Sequence, residues 1–325
     1  MPVTRLAPSP TGALHLGNVR TFLVNWALAR REGWRIVLRI EDLDGPRVKP
    51  GAIEGAIDTL AWLGMDWDEG PIVQSHDLAP YHRAMRVLAE RGLAFPSDLS
   101  RQEIEAAMSA PQSDAPIGDG DGPAPGHEVR CPPSLRPHLG PREFDDPMTN
   151  WRFVTPDTTV ELVDAFAGPR SFRPIDTVGD FVIWTKRGQP AYQLAVVVDD
   201  HRHGVTHIVR GDDLLDSAAR QLLLYRALGL GPEPTYCHLP LVVGPDGRRL
   251  AKRHGDTRVA TYREAGATPE RVVGLMARWC GIIGLEEPMR EMSALEFASG
   301  LDVGRMPRRP IRFGLEDDRW LHQTT

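Results

Sequence analysis

What most limits the fold of this chain is its opening passage, Arg5-Leu6-Ala7-Pro8-Ser9-Pro10-Thr11-Gly12-Ala13-Leu14-His15-Leu16-Gly17-Asn18. It starts as an extended apolar run, breaks at a Pro/Gly turn and feeds a helical pattern carrying Val19, Phe22, Leu23, Trp26, Ala27 and Ala29. Strand, tight turn and helix in that order aim backbone N–H groups and a helix dipole at an anion. Gly12 and Gly17 let a ligand come close to the backbone, and His15 is a donor where a phosphate would sit. The same pattern also describes an ordinary strand-to-helix turn with a capping histidine.

The rest of the chain extends an α/β pattern. A helix is predicted over 19–33, ending at Gly33, and Arg35–Glu41 alternates polar and apolar residues as a strand does. Asp42-Leu43-Asp44-Gly45 then turns, leaving Glu41 at a strand's carboxyl end, where open parallel sheets collect ligand-binding groups. Helices are predicted over 51–64 and 81–91, each closed by a glycine. Residues 110–126 are too rich in Pro and Gly to hold regular structure. An apolar strand is expected over 176–184. The run Pro190–Asp200 reads as a strand or a helix buried on all sides. His207–Leu215 reads as a strand entering a capped helix that carries Ser217, which puts Arg210 at a second strand end. Leu239–Val243 is strand-like, Asp246-Gly247 a turn, and 269–284 the last clear helix.

At 325 residues the chain has room for a main domain plus an insertion or small second domain. No apolar run is long enough to cross a membrane, and the N-terminus lacks the order of a secretory signal. Cys131, Cys237 and Cys280 are too scattered for a disulfide framework, so a cytoplasmic setting is expected. The net charge of −6 requires that any nucleic-acid contact use local positive charge. Two places offer it: Arg248, Arg249, Lys252 and Arg253, and Arg305, Arg308, Arg309 and Arg312. Each also describes a solvated face.

Pro8-Ser9-Pro10-Thr11-Gly12-Ala13-Leu14-His15-Leu16-Gly17-Asn18 resembles the HIGH signature of class I aminoacyl-tRNA synthetases, and Arg5–Ser9 narrows the likeness to the glutamate-activating branch. Arg39-Ile40-Glu41-Asp42-Leu43-Asp44 is similar to another segment of that branch. Arg249-Leu250-Ala251-Lys252-Arg253 resembles its KMSKS signature, with Arg249 for the first Lys and Ala251 for the Ser. Val196–Asp200 and Arg210–Asp216 look especially like glutamyl-queuosine tRNA(Asp) synthetases, catalytic-core paralogues without an anticodon-binding domain.

The resemblance implies a Rossmann-like parallel sheet in two halves, 1–92 and 176–255, around an inserted acceptor-binding-like subdomain at 93–175, with a short helical part at 256–325. It implies ATP with Mg²⁺ at His15, Gly17, Asn18 and Lys252, and L-glutamate at Arg5, Ala7, Ser9, Glu41, Tyr192 and Arg210. The activity implied is tRNA-independent formation of glutamyl-adenylate and transfer to the queuosine base of tRNA(Asp), whose anticodon stem-loop is the expected partner of a monomer. Relatives with a structural zinc carry two cysteines where this chain has Ser97 and Leu99, and Cys131 and His127 cannot complete a tetrahedral site, so no structural zinc or other metal is expected in the insertion. A truncated glutamyl-tRNA synthetase charging the 3′ end, a non-catalytic synthetase-like binder and a small-molecule nucleotidyltransferase remain open at this point.

Overall fold

Val3–Leu6 (β1) is buried at every position and lies at the centre of the computed structural model, which describes residues 1–100, 102–104, 129–247, 250 and 256–323. In chain order there follow α1 (Leu16–Glu32), β2 (Arg35–Ile40), α2 (Ala52–Trp62), β3 (Glu69–Val73), α3 (Ala79–Glu90) and β4 (Ala94–Pro96). Next are β5 (Trp151–Phe153), β6 (Val160–Asp164), β7 (Gly168–Phe172), α4 (Pro174–Thr177), β8 (Val182–Thr185) and β9 (Gln189–Pro190). Then come α5 (Tyr192–Arg202), β10 (His207–Gly211), α6 (Leu215–Leu228), β11 (Thr235–Leu239) and β12 (Val242–Val243). The chain closes with α7 (Val259–Glu264), α8 (Pro269–Trp279), α9 (Ala294–Gly300), β13 (Ile311–Arg312) and α10 (Leu315–His322).

β1 pairs in parallel with β2, and β2 with β3. On its other side β1 meets β10, where the Val3 carbonyl accepts the Thr206 N–H at 2.9 Å, and β11 extends parallel from β10. The chain therefore reverses direction across the sheet between β1 and β10, the switch point at which open α/β sheets form ligand crevices. Alternate strand residues feed different cores: Ile36 and Leu38 join α1, α2 and the C-terminal helices, whereas Val37 joins α3, α5, α6 and the small sheets. β4, β5, β8 and β9 form an antiparallel sheet that runs on both sides of residue 175, and β6–β7 is a separate hairpin.

Several elements differ from the sequence expectation. The 176–184 strand shrinks to Val182–Thr185, because Pro174 opens a helical turn and Gly179 adopts φ 65°. A Cβ on Gly179 would sit 1.9 Å from the Cys131 carbonyl oxygen. Of the Pro190–Asp200 run, left open between strand and helix, Pro190 ends β9 and the part from Tyr192 on is helix α5, although Val196-Val197-Val198 is a poor helix sequence, because burial between α3 and α6 outweighs propensity. α6 has no side-chain cap, and Ser217 Oγ accepts instead from Gln193 and Arg220. α8 stops at Trp279 rather than 284. The 110–126 stretch lies outside the described residues.

Candidate active site

A cleft of about 590 Å³ opens at the carboxyl ends of β1, β2 and β10, on the switch point. It is lined by Arg5, Ala7, Pro8, Ser9, Thr11, Gly12, Leu14, His15, Gly17, Asn18, Glu41, Tyr192 and Arg210 among the sequence-predicted residues. Pro10 and Leu16 do not line it. The Pro10 carbonyl accepts the Lys49 N–H, and Leu16 is buried in the core.

One end of the cleft is built from charges of both signs. Asn25 on α1 holds the β1 backbone, its Nδ2 donating to the Arg5 carbonyl at 2.9 Å. Arg5 is 5% exposed, with its Nε 3.5 Å from Asp200 Oδ1. Arg39, fully buried on β2, donates to Asp200 Oδ1 at 2.7 Å and to Glu41 Oε1 from Nε at 3.3 Å and Nη2 at 2.9 Å. Two carboxylates beside it raise the Arg39 pKa against the opposing effect of burial. Asp199, next to Asp200, accepts from Gln74 and from the Tyr81 hydroxyl at 2.8 and 2.7 Å. Glu41 is thus held at the cleft wall by a guanidinium behind it. Tyr192, at the start of α5, is 40% exposed in the cleft and not a core residue.

Arg210 is also 5% exposed, and its direct partners differ in kind from those of Arg39. Nε donates to His238 Nε2 at 2.9 Å, Nη1 to Gln221 Oε1 at 2.9 Å, and Nη2 to the Leu214 carbonyl at 3.2 Å. All three acceptors are neutral.

The other end is the strand-to-helix turn. His15 is the N-cap of α1: its Nδ1 accepts the Asn18 N–H at 3.4 Å, and Asn18 Oδ1 accepts the His15 N–H in return. These bonds assign the ring proton to Nε2. The capping role and the cleft-facing role coexist. Gly17 has an ordinary reason as well, since a Cβ there would lie 3.2 Å from His15 Cε1 and Nδ1. A Cβ on Gly12 would meet no atom within 4 Å, so that part of the wall is open to a close ligand.

Arg248, Arg249, Ala251, Lys252, Arg253 and His127 lie outside the described residues. The flanks of the 251–255 segment are tied to the cleft turn. Leu250 is buried and donates to the Val242 carbonyl at 3.4 Å, while Leu16 N–H reaches the Thr257 carbonyl and Val259 N–H the Leu14 carbonyl, both at 3.0 Å. In the second basic group, Arg305 pairs with Asp302, and Arg308 stacks its guanidinium 4.7 Å from the Phe166 ring centre; Arg309 and Arg312 are exposed.

Among the described residues no three His, Cys, Asp or Glu side chains are grouped to hold a metal. Ser97 Oγ accepts from Arg152 at 3.3 Å, and Cys131 is buried against Gly179. The cleft carboxylates are Glu41 and Asp213, which make no cage for Mg²⁺. An ion accompanying a nucleotide would take its oxygens mainly from the phosphates.

Residues 2–295 match the family model described as tRNA synthetases class I (E and Q), catalytic domain. The chain belongs to this family. It is accordingly a ligase of the class I synthetase type. It is 46% identical over 321 residues to the Glutamyl-Q tRNA(Asp) synthetase of Symbiobacterium thermophilum, covering 96% of each chain. It is 48% identical over 286 residues to that of Rhodopirellula baltica, covering 86% of this chain and 85% of the relative. A solved glutamate tRNA ligase from Elizabethkingia meningosepticum, in complex with its amino acid, superposes with a TM-score of 0.78 at 27% identity; the match covers 98% of this chain and 68% of that one. No helix among the described residues is long and apolar enough to cross a membrane.

Three residues of this site are not among the sequence-predicted ones: Arg39 and Asp200, which lie inside matched segments, and His238, which lies in none. His238 lies directly opposite Arg210 in the β10–β11 register, at a strand's carboxyl end. The strand-end criterion that selects Glu41 and Arg210 would have found it had β11 been delimited at Leu239.

Proposed function

We propose that this cleft joins L-glutamate to ATP, forming glutamyl-adenylate without tRNA, and that the glutamyl group then passes to the queuosine base at the wobble position of tRNA(Asp). The observation that carries this reading is the two-signed end of the cleft: Arg5 and Arg210 are buried beside Glu41, one helix terminus away from His15. A zwitterion with one extra acid matches two guanidiniums and one carboxylate, since guanidinium receives carboxylate as a bidentate fork. The likeness to two Glutamyl-Q tRNA(Asp) synthetases over most of their length supports the acceptor.

In the activation step a glutamate carboxylate oxygen bonds to the α-phosphorus of ATP, and the bond to the bridging oxygen breaks to release pyrophosphate. Both reactants are anions, so the site must lower their repulsion and hold them in line. His15 Nε2–H and the α1 N-terminus supply positive potential beside the phosphates, and Lys252, the residue matching the phosphate-facing lysine of the KMSKS signature, is assigned the same task. Arg5, Arg210 and Glu41, with Ala7, Ser9 and Tyr192, orient the amino acid. Mg²⁺ would lower the phosphate charge, bound through ATP. In transfer, a nucleophile of the queuosine base attacks the acyl carbon and AMP leaves.

ATP–pyrophosphate exchange tests the first step. Glutamate-dependent exchange without tRNA is expected, followed by glutamate transfer to queuosine-containing tRNA(Asp) and not to tRNA(Asp) lacking it. Exchange only with tRNA, or transfer to the 3′ end, would replace this reading with that of a glutamate–tRNA ligase. One such relative, from a Synechococcus strain, is 39% identical to this chain, which spans 64% of it.

A further inference from the structure

Behind Arg210 runs a buried chain of polar groups that leaves the parallel sheet and ends in the β6–β7 hairpin. His238 Nε2 accepts from Arg210 Nε, and His238 Nδ1 meets Asp164 Oδ2 at 2.6 Å, with both side chains fully buried. Asp164 Oδ1 accepts the N–H groups of Phe166 at 2.9 Å and Ala167 at 2.7 Å, and also that of His238 at 3.1 Å. The Asp164 carboxylate is therefore fixed by its own hairpin turn: Oδ1 takes the two turn N–H groups, Oδ2 takes the imidazole, and the His238 N–H is shared between them, 3.2 Å from Oδ2. Neither Asp164 nor His238 lines the cleft.

We propose that Asp164 and His238 are positioning residues for Arg210, through which the hairpin sets the orientation and the available charge of the guanidinium that receives a carboxylate of the amino acid. This rests on the glutamate reading above. The proton count carries the argument. Arg210 Nε can only donate, so His238 Nε2 must be bare and the ring proton must sit on Nδ1. An Nδ1–H needs an acceptor, and Asp164 Oδ2 is that acceptor. Burial disfavours a charged imidazole, and a neutral ring leaves Arg210 with neutral partners only among the described residues. Arg39, by contrast, has its charge matched by Asp200 and Glu41. Placing the carboxylate one imidazole away keeps Arg210 aligned without neutralising it.

Asp164→Asn tests the arrangement with almost no change of shape. The turn N–H groups of Phe166 and Ala167 hold the amide oxygen at the Oδ1 position, so the NH₂ takes the place of Oδ2. A donor then faces His238 Nδ1. Either the ring keeps its Nδ1 proton against that donor, or it moves the proton to Nε2 and confronts Arg210. His238→Gln retains a neutral acceptor for Arg210, and His238→Leu removes it. We expect the KM for glutamate in pyrophosphate exchange to rise at least tenfold in D164N and H238L, with the KM for ATP changed less than twofold. H238Q should recover most of the loss. In ¹⁵N-labelled protein, the His238 ring should report an Nδ1 proton in the wild type and an Nε2 proton in D164N.

An unchanged glutamate KM in a folded D164N would overturn the proposal, as would equal rises in the glutamate and ATP KM values. If D164N does not fold, H238Q and H238L decide, and equal glutamate KM values in those two overturn it. A wild-type protein with no glutamate-dependent exchange would instead defeat the functional reading, and so separates the two failures.

Discussion

Glu41→Gln exchanges a single oxygen for an NH₂ group, and the structure dictates where that group goes. Arg39 directs both Nε and Nη2 at Glu41 Oε1, so the glutamine carbonyl takes that position and its amide nitrogen replaces Oε2. A carboxylate oxygen available to an ammonium becomes an amide donor facing it. A hydrogen bond to a charged group contributes roughly 1.5–3 kcal/mol. At about 1.4 kcal/mol per tenfold, the KM for glutamate should rise roughly 10- to 100-fold. The KM for ATP should hold within about twofold, because the charge is removed at the amino-acid end of the cleft. The fold should survive, since Arg39 keeps Asp200 at 2.7 Å and the glutamine oxygen. The assay is pyrophosphate exchange at varied glutamate and varied ATP, with a thermal melt as control. An unchanged glutamate KM would refute the assignment of Glu41 to the ammonium.

Three other outcomes follow from the same geometry. Arg39→Leu leaves Asp200 and Glu41 without their shared cation and should lower unfolding free energy by roughly 3–5 kcal/mol in urea melts, far more than E41Q; equal urea midpoints would contradict the buried-pair argument. Gly17→Ala places a methyl against the His15 ring and should raise the KM for ATP severalfold with little effect on that for glutamate, read in the same exchange assay. Burial pushes His203, His207 and His238 below the ordinary histidine value of 6.5, so the unfolded chain takes up protons first and stability falls as pH drops through that value. Asp164 is held below its ordinary 3.8, so its stabilisation is lost only at still lower pH. Urea midpoints at pH 7.5 and 5.5 should differ in that direction, and H238Q should shrink the difference.

The strand–turn–helix at residues 3–33 was legible because every relation in it is local: a buried strand, a turn, a cap three residues from its partner and a helix closed by Gly33 at φ 67°. Glu41 and Arg210 were legible for a related reason. Both end a short apolar run, and parallel sheets present their ligands there. The form of Pro190–Asp200 was not legible, because a continuous apolar run specifies burial on all sides without specifying strand or helix. Contact with α3 and α6 made that choice.

Sequence by itself determined the sign and position of two charges that enter the cleft, since Glu41 and Arg210 stand at strand ends, while Arg5 was marked only by the family resemblance. Tertiary structure alone decided what stands behind them. Arg39 reaches Asp200, 161 residues away, and Arg210 receives a neutral imidazole oriented by Asp164, 74 residues from His238. No periodicity links Arg39 to Asp200 or Asp164 to His238. The placement of α5 brings Asp200 to Arg39, and the lateral register of β10 on β11, with one hairpin docked beside them, brings His238 and Asp164 to Arg210.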